Sequence, residues 1–324
     1  MTLFLSSDDV RLLCSQDVAA RAARTVLDAQ ALGDYRLPHR YDIDLPNGFF
    51  RVMPAAAGDY VGLKIMTLAR GIGNRYLLAL YSQQTGELLA LVDAAEVTRL
   101  RTAATTAVAA GLLRPNGAAH VGLIGTGFEA AGHLRALAHC WPLESVTVYS
   151  RSPERRDEFA DRMSAELQIT VKPAVDPADV IMTSEVSLLC TKSKEPVVEG
   201  MKFARGATVL SIGSTRPDLR ELDIATFARS AALLVDDPEQ VIAESGDVAA
   251  AIAAGVLDRD RIFAMGEWSG ATIDRDRDLL TFKSVGTAIQ DLMLAAELVA
   301  SARESGVGRE LGELASLKRA PALA

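Results

Sequence analysis

Gly125-Thr126-Gly127-Phe128-Glu129-Ala130 follows the apolar run 119–124 and opens a segment with helical spacing. Strand, glycine turn and helix in that order make a G-x-G-x-x-A turn, which constrains the fold more than any other feature of this chain. Gly125 permits the tight turn, Gly127 lets the backbone approach a pyrophosphate, and Ala130 allows close helix packing. The helix N-terminus adds unpaired N–H groups and a dipole favourable to phosphate. Thr126, Phe128 and Glu129 complete the candidate cofactor contacts of this turn. The competing reading is a glycine turn that only connects two elements.

Short apolar runs recur at 145–149, 169–175, 186–190, 208–212 and 231–235, most of them separated by helical segments. That alternation is the pattern of a parallel sheet covered on both faces. The expected class is therefore α/β, with a Rossmann-type doubly wound domain over 117–285. A chain of 324 residues has room for a second domain at about 150 residues each.

The first third reads as α+β. Ser6 or Ser7 can cap a short helix, and Ser15 a longer one to about Gln30. Pro38 and Pro46 bracket an expected connecting region. Strands are expected at 49–53 and 60–66, and a hairpin at 76–81 and 87–92. Asp93 and Glu96 have capping-box spacing and open a helix to about Leu113. Pro115-Asn116-Gly117 ends it and marks the expected boundary. A last long helix is expected over 285–302, with a stripe of Ala288, Ile289, Leu292, Ala295, Ala296 and Val299. Another is expected over 309–317, before a frayed tail around Pro321.

The net charge of −8 excludes the basic footprint of a nucleic-acid binder, and no polybasic segment suggests a membrane. Cys14, Cys140 and Cys190 form no C-x-x-C pair, and the four histidines have no ligand spacing, so no metal site is expected. The apolar start is too short for a signal peptide core, which makes a cytoplasmic protein the expectation.

Individual residues suggest chemistry. The second strand of a dinucleotide unit ends at Tyr149, where an acid would accept the ribose 2′-OH of NAD. Here Ser150, Arg151 and Ser152 follow instead, so NADP is expected ahead of NAD. Lys64 lies in mid-strand, opposite in alternation to Val61, Leu63 and Ile65. It is either a solvated lysine or an ammonium aimed into a pocket. Arg101, among small helical neighbours, can clamp a carboxylate at two points or sit in solvent. Arg40 is weaker alone, and Met53 reads by itself as core.

Together these segments resemble the ornithine cyclodeaminase/mu-crystallin family over nearly the whole chain. Arg40 with Met53-Pro54 resembles its early substrate segment, Gly62-Leu63-Lys64-Ile65 its lysine strand, and Leu100-Arg101-Thr102-Ala103-Ala104 its arginine helix. The glycine loop, the stretch from Gly213-Ser214-Thr215 to Asp223, Glu244-Ser245-Gly246-Asp247 and Phe282-Lys283-Ser284-Val285-Gly286 follow in order. The resemblance implies a homodimer, with a substrate-binding and dimerisation domain of 1–116 and 286–324 beside the Rossmann domain. It implies that Arg40, Met53, Lys64 and Arg101 meet a small amino acid or cyclic imine, with Lys64 handling the proton. Thr102, Cys190, Thr191, Ser214 and Lys283 join the implied cofactor contacts.

One departure bears on activity. Thr215 stands where the cyclodeaminases carry a catalytic aspartate, and threonine is no general base near neutral pH. Asp218, the nearest acid in that loop, is expected to cap or orient the turn. Thr215 therefore moves the expectation to the reductase-like branch: reduction of a cyclic ketimine carboxylate with NADP or NAD. The alternatives are a cyclodeaminase or hydroxyproline-dehydratase type lyase with tightly bound NAD, an alanine or opine-type dehydrogenase, and a ligand-binding protein without turnover.

Overall fold

Two units divide the chain, Met1–Arg101 with Ala288–Ala324 and Thr102–Thr287. The computed structural model describes residues 1–270 and 277–314. The division falls inside a helix, not at Pro115-Asn116-Gly117. That turn does end the helix, with Gly117 at φ 74°. Ala94, Val97 and Leu100 on the helix's first turns nevertheless belong to the core of the first unit.

The strands are β1 (Leu3–Leu5), β2 (Tyr35–Arg36), β3 (Tyr41–Leu45), β4 (Gly48–Ala57), β5 (Tyr60–Ala69), β6 (Gly73–Ser82), β7 (Leu88–Asp93), β8 (His120–Ile124), β9 (Ser145–Tyr149), β10 (Thr170–Pro173), β11 (Val186–Leu189), β12 (Thr208–Ser211), β13 (Ser230–Val235), β14 (Ile262–Ala264), β15 (Leu279–Lys283) and β16 (Arg309–Glu310). The helices are α1 (Ser7–Leu13), α2 (Gln16–Leu32), α3 (Ala94–Leu113), α4 (Phe128–Cys140), α5 (Pro153–Leu167), α6 (Pro177–Thr183), α7 (Ile224–Arg229), α8 (Pro238–Glu244), α9 (Gly246–Ala253) and α10 (Ala288–Ser305).

In the first unit the sheet order is β16-β1-β7-β6-β5-β4-β2, with β3 also paired to β4. The expected hairpin is present as β6 and β7, and β4 and β5 run longer than expected. Ser6 closes a capping box with Asp9, and Ser15 caps α2. At α3, Asp93 accepts from the Ala95 N–H, but Glu96 is taken up by Arg99 and Arg11. The segment expected as a connection contains β3, every residue of which is exposed. Its sequence does alternate, with Tyr41, Ile43 and Leu45 on one face and Asp42 and Asp44 on the other, a strand signal that the flanking Pro38 and Pro46 obscured.

Helix α10 packs against this sheet. Its expected stripe is buried, and so are Gln290, Asp291, Met293, Leu294 and Leu298. It is thus apolar nearly all round and enclosed, not amphipathic. Gly62 makes room for it: a Cβ there would stand 2.7 Å from Leu292 Cδ1 and 2.4 Å from the Ala79 carbonyl oxygen. Gly62→Ala should therefore cost about 1–3 kcal/mol in urea unfolding. A change within experimental error would contradict this packing. Beyond α10, Arg309–Glu310 pairs antiparallel with β1, not as the expected helix. Residues 315–317 of that expected helix and the frayed tail lie outside the described residues.

The second unit holds a parallel sheet in the order β10-β9-β8-β11-β12-β15-β13-β14. All five recurring runs and the run before the glycine turn are strands in it. β15 enters between β12 and β13. It was not foreseen as a strand: its run Leu279-Leu280-Thr281-Phe282 is short, and the strand ends on Lys283, a fully buried charge.

Candidate active site

Lys64 lies on β5, a central strand, with Met53 and Leu78 as its cross-strand partners. All three are buried, so Lys64 is on the covered face and the solvated reading fails. Its ammonium reaches Asp291 Oδ1 on α10 at 2.9 Å. It also stands 5.1 Å from the centre of the Tyr76 ring, a favourable cation–π distance. Arg101 Nε donates to the same Asp291 oxygen at 3.2 Å, and its Nη1 donates to Gln290 Oε1 at 2.6 Å. Two cations and one carboxylate thus meet inside the first unit, an arrangement in which the cations can also hold the carboxylate of a small ligand. Arg40 directly precedes β3, whose register pairs Tyr41 with Val52 and so brings Arg40 level with Met53.

The glycine turn has the geometry its sequence requires. Gly125 sits at φ 110°, and a Cβ there would meet the Cys190 carbonyl oxygen at 2.5 Å. Gly127 is the N-cap of α4 and offers no side-chain cap, and a Cβ there would meet nothing within 4 Å. Thr126 is half-buried, while Gly127 and Phe128 are exposed. Glu129 lies in α4's first turn, and Ala130 is fully buried. An open glycine before an uncapped helix N-terminus fits a dinucleotide pyrophosphate.

At the end of β9, Ser150 is half-buried and Arg151 exposed. Ser152 caps α5 by accepting from the Arg155 N–H, and it donates to Glu154 at 2.8 Å. Its hydroxyl proton is therefore already used. Glu154 is held below the usual carboxylate range by its own backbone N–H and by Ser152.

Cys190 and Thr191 follow β11, and burial pushes the Cys190 thiol well up, so it stays protonated. Glu221 joins the strand ends beneath the next loop. It accepts from the Thr191 N–H and hydroxyl, from Ser211 Oγ at 2.7 Å, and from the Gly213 N–H at 2.8 Å. Lys283 donates to Ser211 Oγ at 2.9 Å and stands 3.0 Å from Asp247 Oδ2. Asp247 in turn accepts from the Glu221 and Leu222 N–H groups. Burial raises the Glu221 carboxyl, while Lys283 pulls it back down. Lys283 is wholly enclosed in this cluster, which holds the stretch carrying Ser214 and Thr215. The Ser214 hydroxyl is buried and makes no hydrogen bond among the described residues, as a group awaiting a ligand would. Thr215 is half-buried. Asp218 does not cap the turn; its carboxylate is exposed and bonded to Arg216 at 2.9 and 2.8 Å. On α3, the Thr102 carbonyl accepts from Thr106 Oγ1.

Asp291, Gln290, Glu221 and Asp247 were not singled out from the sequence. Asp291 had a usable signal: it precedes the unbroken run Leu292-Met293-Leu294-Ala295-Ala296, and a helix with so little polar face must pair its charges.

This chain belongs to the ornithine cyclodeaminase/mu-crystallin family, whose profile matches residues 1–306. Among its relatives, the ketimine reductase mu-crystallin of Mus musculus is 35% identical over 271 residues, covering 80% of this chain and 82% of that protein. The alanine dehydrogenase of Archaeoglobus fulgidus is 29% identical, covering 96% and 98%. A similar solved structure is the Thermococcus litoralis Δ1-pyrroline-2-carboxylate reductase in complex with NADH and L-proline. It shares 31% identity at a TM-score of 0.87, over 96% of this chain and 100% of that one.

Proposed function

We propose that the chain is an NAD(P)H-dependent reductase of a cyclic ketimine carboxylate of the Δ1-pyrroline-2-carboxylate or Δ1-piperideine-2-carboxylate type. The observation that carries this reading is the enclosed cluster in which Lys64 and Arg101 share one oxygen of Asp291. Arg101, assisted by Arg40, holds the substrate carboxylate, and Met53 lies beside Lys64 against the ring. Fixing the carboxylate orients the C=N bond, which is a positioning effect. The Lys64 ammonium gives its proton to the imine nitrogen and regains one from water. Ser214, Thr215 and Thr102 contact the nicotinamide side, Gly125, Thr126 and Gly127 the pyrophosphate, and Phe128 and Glu129 border the cofactor from the first turn of α4. When bound, the reduced nicotinamide supplies the hydride. Lys283 acts from beneath by holding the strand ends near Cys190 and Thr191.

NADPH is preferred over NADH in this reading, through Arg151 and Ser150, since Ser152 is committed to its helix. Arg151→Ala should lower the NADPH-to-NADH ratio of kcat/KM about tenfold. An unchanged ratio would remove Arg151 from cofactor choice. A homodimer is also part of the reading. Tyr41, Ile43 and Leu45 share one face of β3 and are 69%, 48% and 45% exposed. A 28% identical archaeal alanine dehydrogenase, with a TM-score of 0.88, forms a dimer. No helix among the described residues is long and apolar enough to cross a membrane. A cytoplasmic setting belongs to the same proposal.

Loss of nicotinamide absorbance in step with consumption of Δ1-pyrroline-2-carboxylate is the expected result with purified protein. No loss with either ring size, but turnover of ornithine or hydroxyproline with catalytic NAD+, would replace the reductase by a lyase. Oxidation of alanine at comparable kcat/KM would favour the open-chain reaction of the Archaeoglobus relative.

A further inference from the structure

We propose that Asp291 is a positioning residue that keeps Lys64 protonated and fixes Arg101, so that both meet the incoming carboxylate charged and oriented. This rests on the reductase reading for its catalytic consequence, but its electrostatic part does not. Asp291 is wholly buried on α10. One oxygen, Oδ1, carries both cations, Lys64 Nζ at 2.9 Å and Arg101 Nε at 3.2 Å. The other, Oδ2, is buried with no hydrogen bond among the described residues. The carboxylate is therefore held mainly by two groups proposed to bind substrate.

Of the groups that meet Lys64, Asp291 carries the opposite charge. Across β4 and β6 its partners are Met53 and Leu78, neither charged. β6 also presents Tyr76, whose ring face attracts the cation but bears no formal charge. α3 contributes Arg101, a like charge. α10 contributes Asp291 as the anion, and the adjacent Gln290 holds Arg101 from the side. Two enclosed cations without Asp291 repel, and of the two only lysine can shed its proton. A neutral Lys64 has no acidic proton to give an imine nitrogen. The same anion offsets part of the charge that the two cations bring together.

The test is Asp291→Asn, nearly equal in size, with Lys64→Met and the double variant beside it. The basic limb of the kcat/KM–pH profile should move to lower pH by about one unit or more, and activity should partly return on acidification. NAD(P)H affinity should stay within about twofold, because α4 and the Glu221 cluster are untouched. The second readout needs no turnover. In Asp291→Asn the folded-state pKa of Lys64 falls below its unfolded value, so the unfolded chain binds more protons and stability rises with pH. The melting temperature of the variant should thus recover toward wild type between pH 7 and 10. That recovery should vanish in the double variant, where no ammonium remains. A pH profile that does not move, or a recovery that persists without Lys64, would overturn the proposal. If no imine is reduced by the wild type, the reductase reading fails, while the melting series still decides the role of Asp291.

Discussion

Lys64→Met loses turnover by about 10³-fold or more while NAD(P)H still binds with nearly wild-type affinity. General acid catalysis by a placed side chain contributes about 10²–10⁴-fold, and methionine keeps much of the stem's volume without a proton to give. Arg101 remains to partner Asp291, so the carboxylate is not stranded. The glycine turn and the Ser214 loop belong to the other unit. Fluorescence titration of the reduced cofactor and steady-state rates separate the two effects. Equal loss of binding and turnover would mean that Lys64 is structural and would withdraw it from the chemistry.

Lys283→Met is expected to be the most destabilising single change discussed, at about 3–5 kcal/mol. The ammonium is fully enclosed, and its removal leaves Glu221 and Asp247 buried without a cation. The pH dependence has a definite sign. Burial already raises the Glu221 carboxyl, and losing Lys283 removes an influence that lowers it. A carboxyl whose folded pKa exceeds its unfolded value binds the proton more tightly when folded. Its destabilising contribution is absent at low pH and complete once pH passes the folded pKa. The gap between wild type and variant in urea unfolding should accordingly widen from pH 5 to pH 8. A loss below about 1 kcal/mol, or one constant with pH, would contradict the ion cluster.

Much of the second sheet was legible because its strands are continuous apolar runs and its glycine turn has one geometric purpose. β15 was not, since its apolar run is short and the strand ends on the enclosed Lys283, whose burial only tertiary pairing with Asp247 makes tolerable. In the first unit, β4 to β7 could be read from alternation and turn residues. β3 carries the same alternation in Tyr41, Ile43 and Leu45 but was masked by the prolines on either side, and β16 is only two residues long. The site divides the same way. Lys64 and Arg101 were visible as charges in apolar surroundings, but their shared partner lies 227 and 190 residues away in sequence. Local pattern carries no information about that distance. Asp218 shows the converse, an acid whose position in a suggestive loop ended in an exposed pair with Arg216.

In the proposed reaction a hydride passes from the nicotinamide to the imine carbon of a cyclic carboxylate. Its most direct test uses reduced cofactor deuterated at C4 of the nicotinamide, in both faces, with Δ1-pyrroline-2-carboxylate, and mass spectrometry of the product. Proline carrying deuterium at Cα, formed in step with oxidised cofactor, is the result this account requires. Cofactor returned reduced with its label, or product without deuterium, would contradict it.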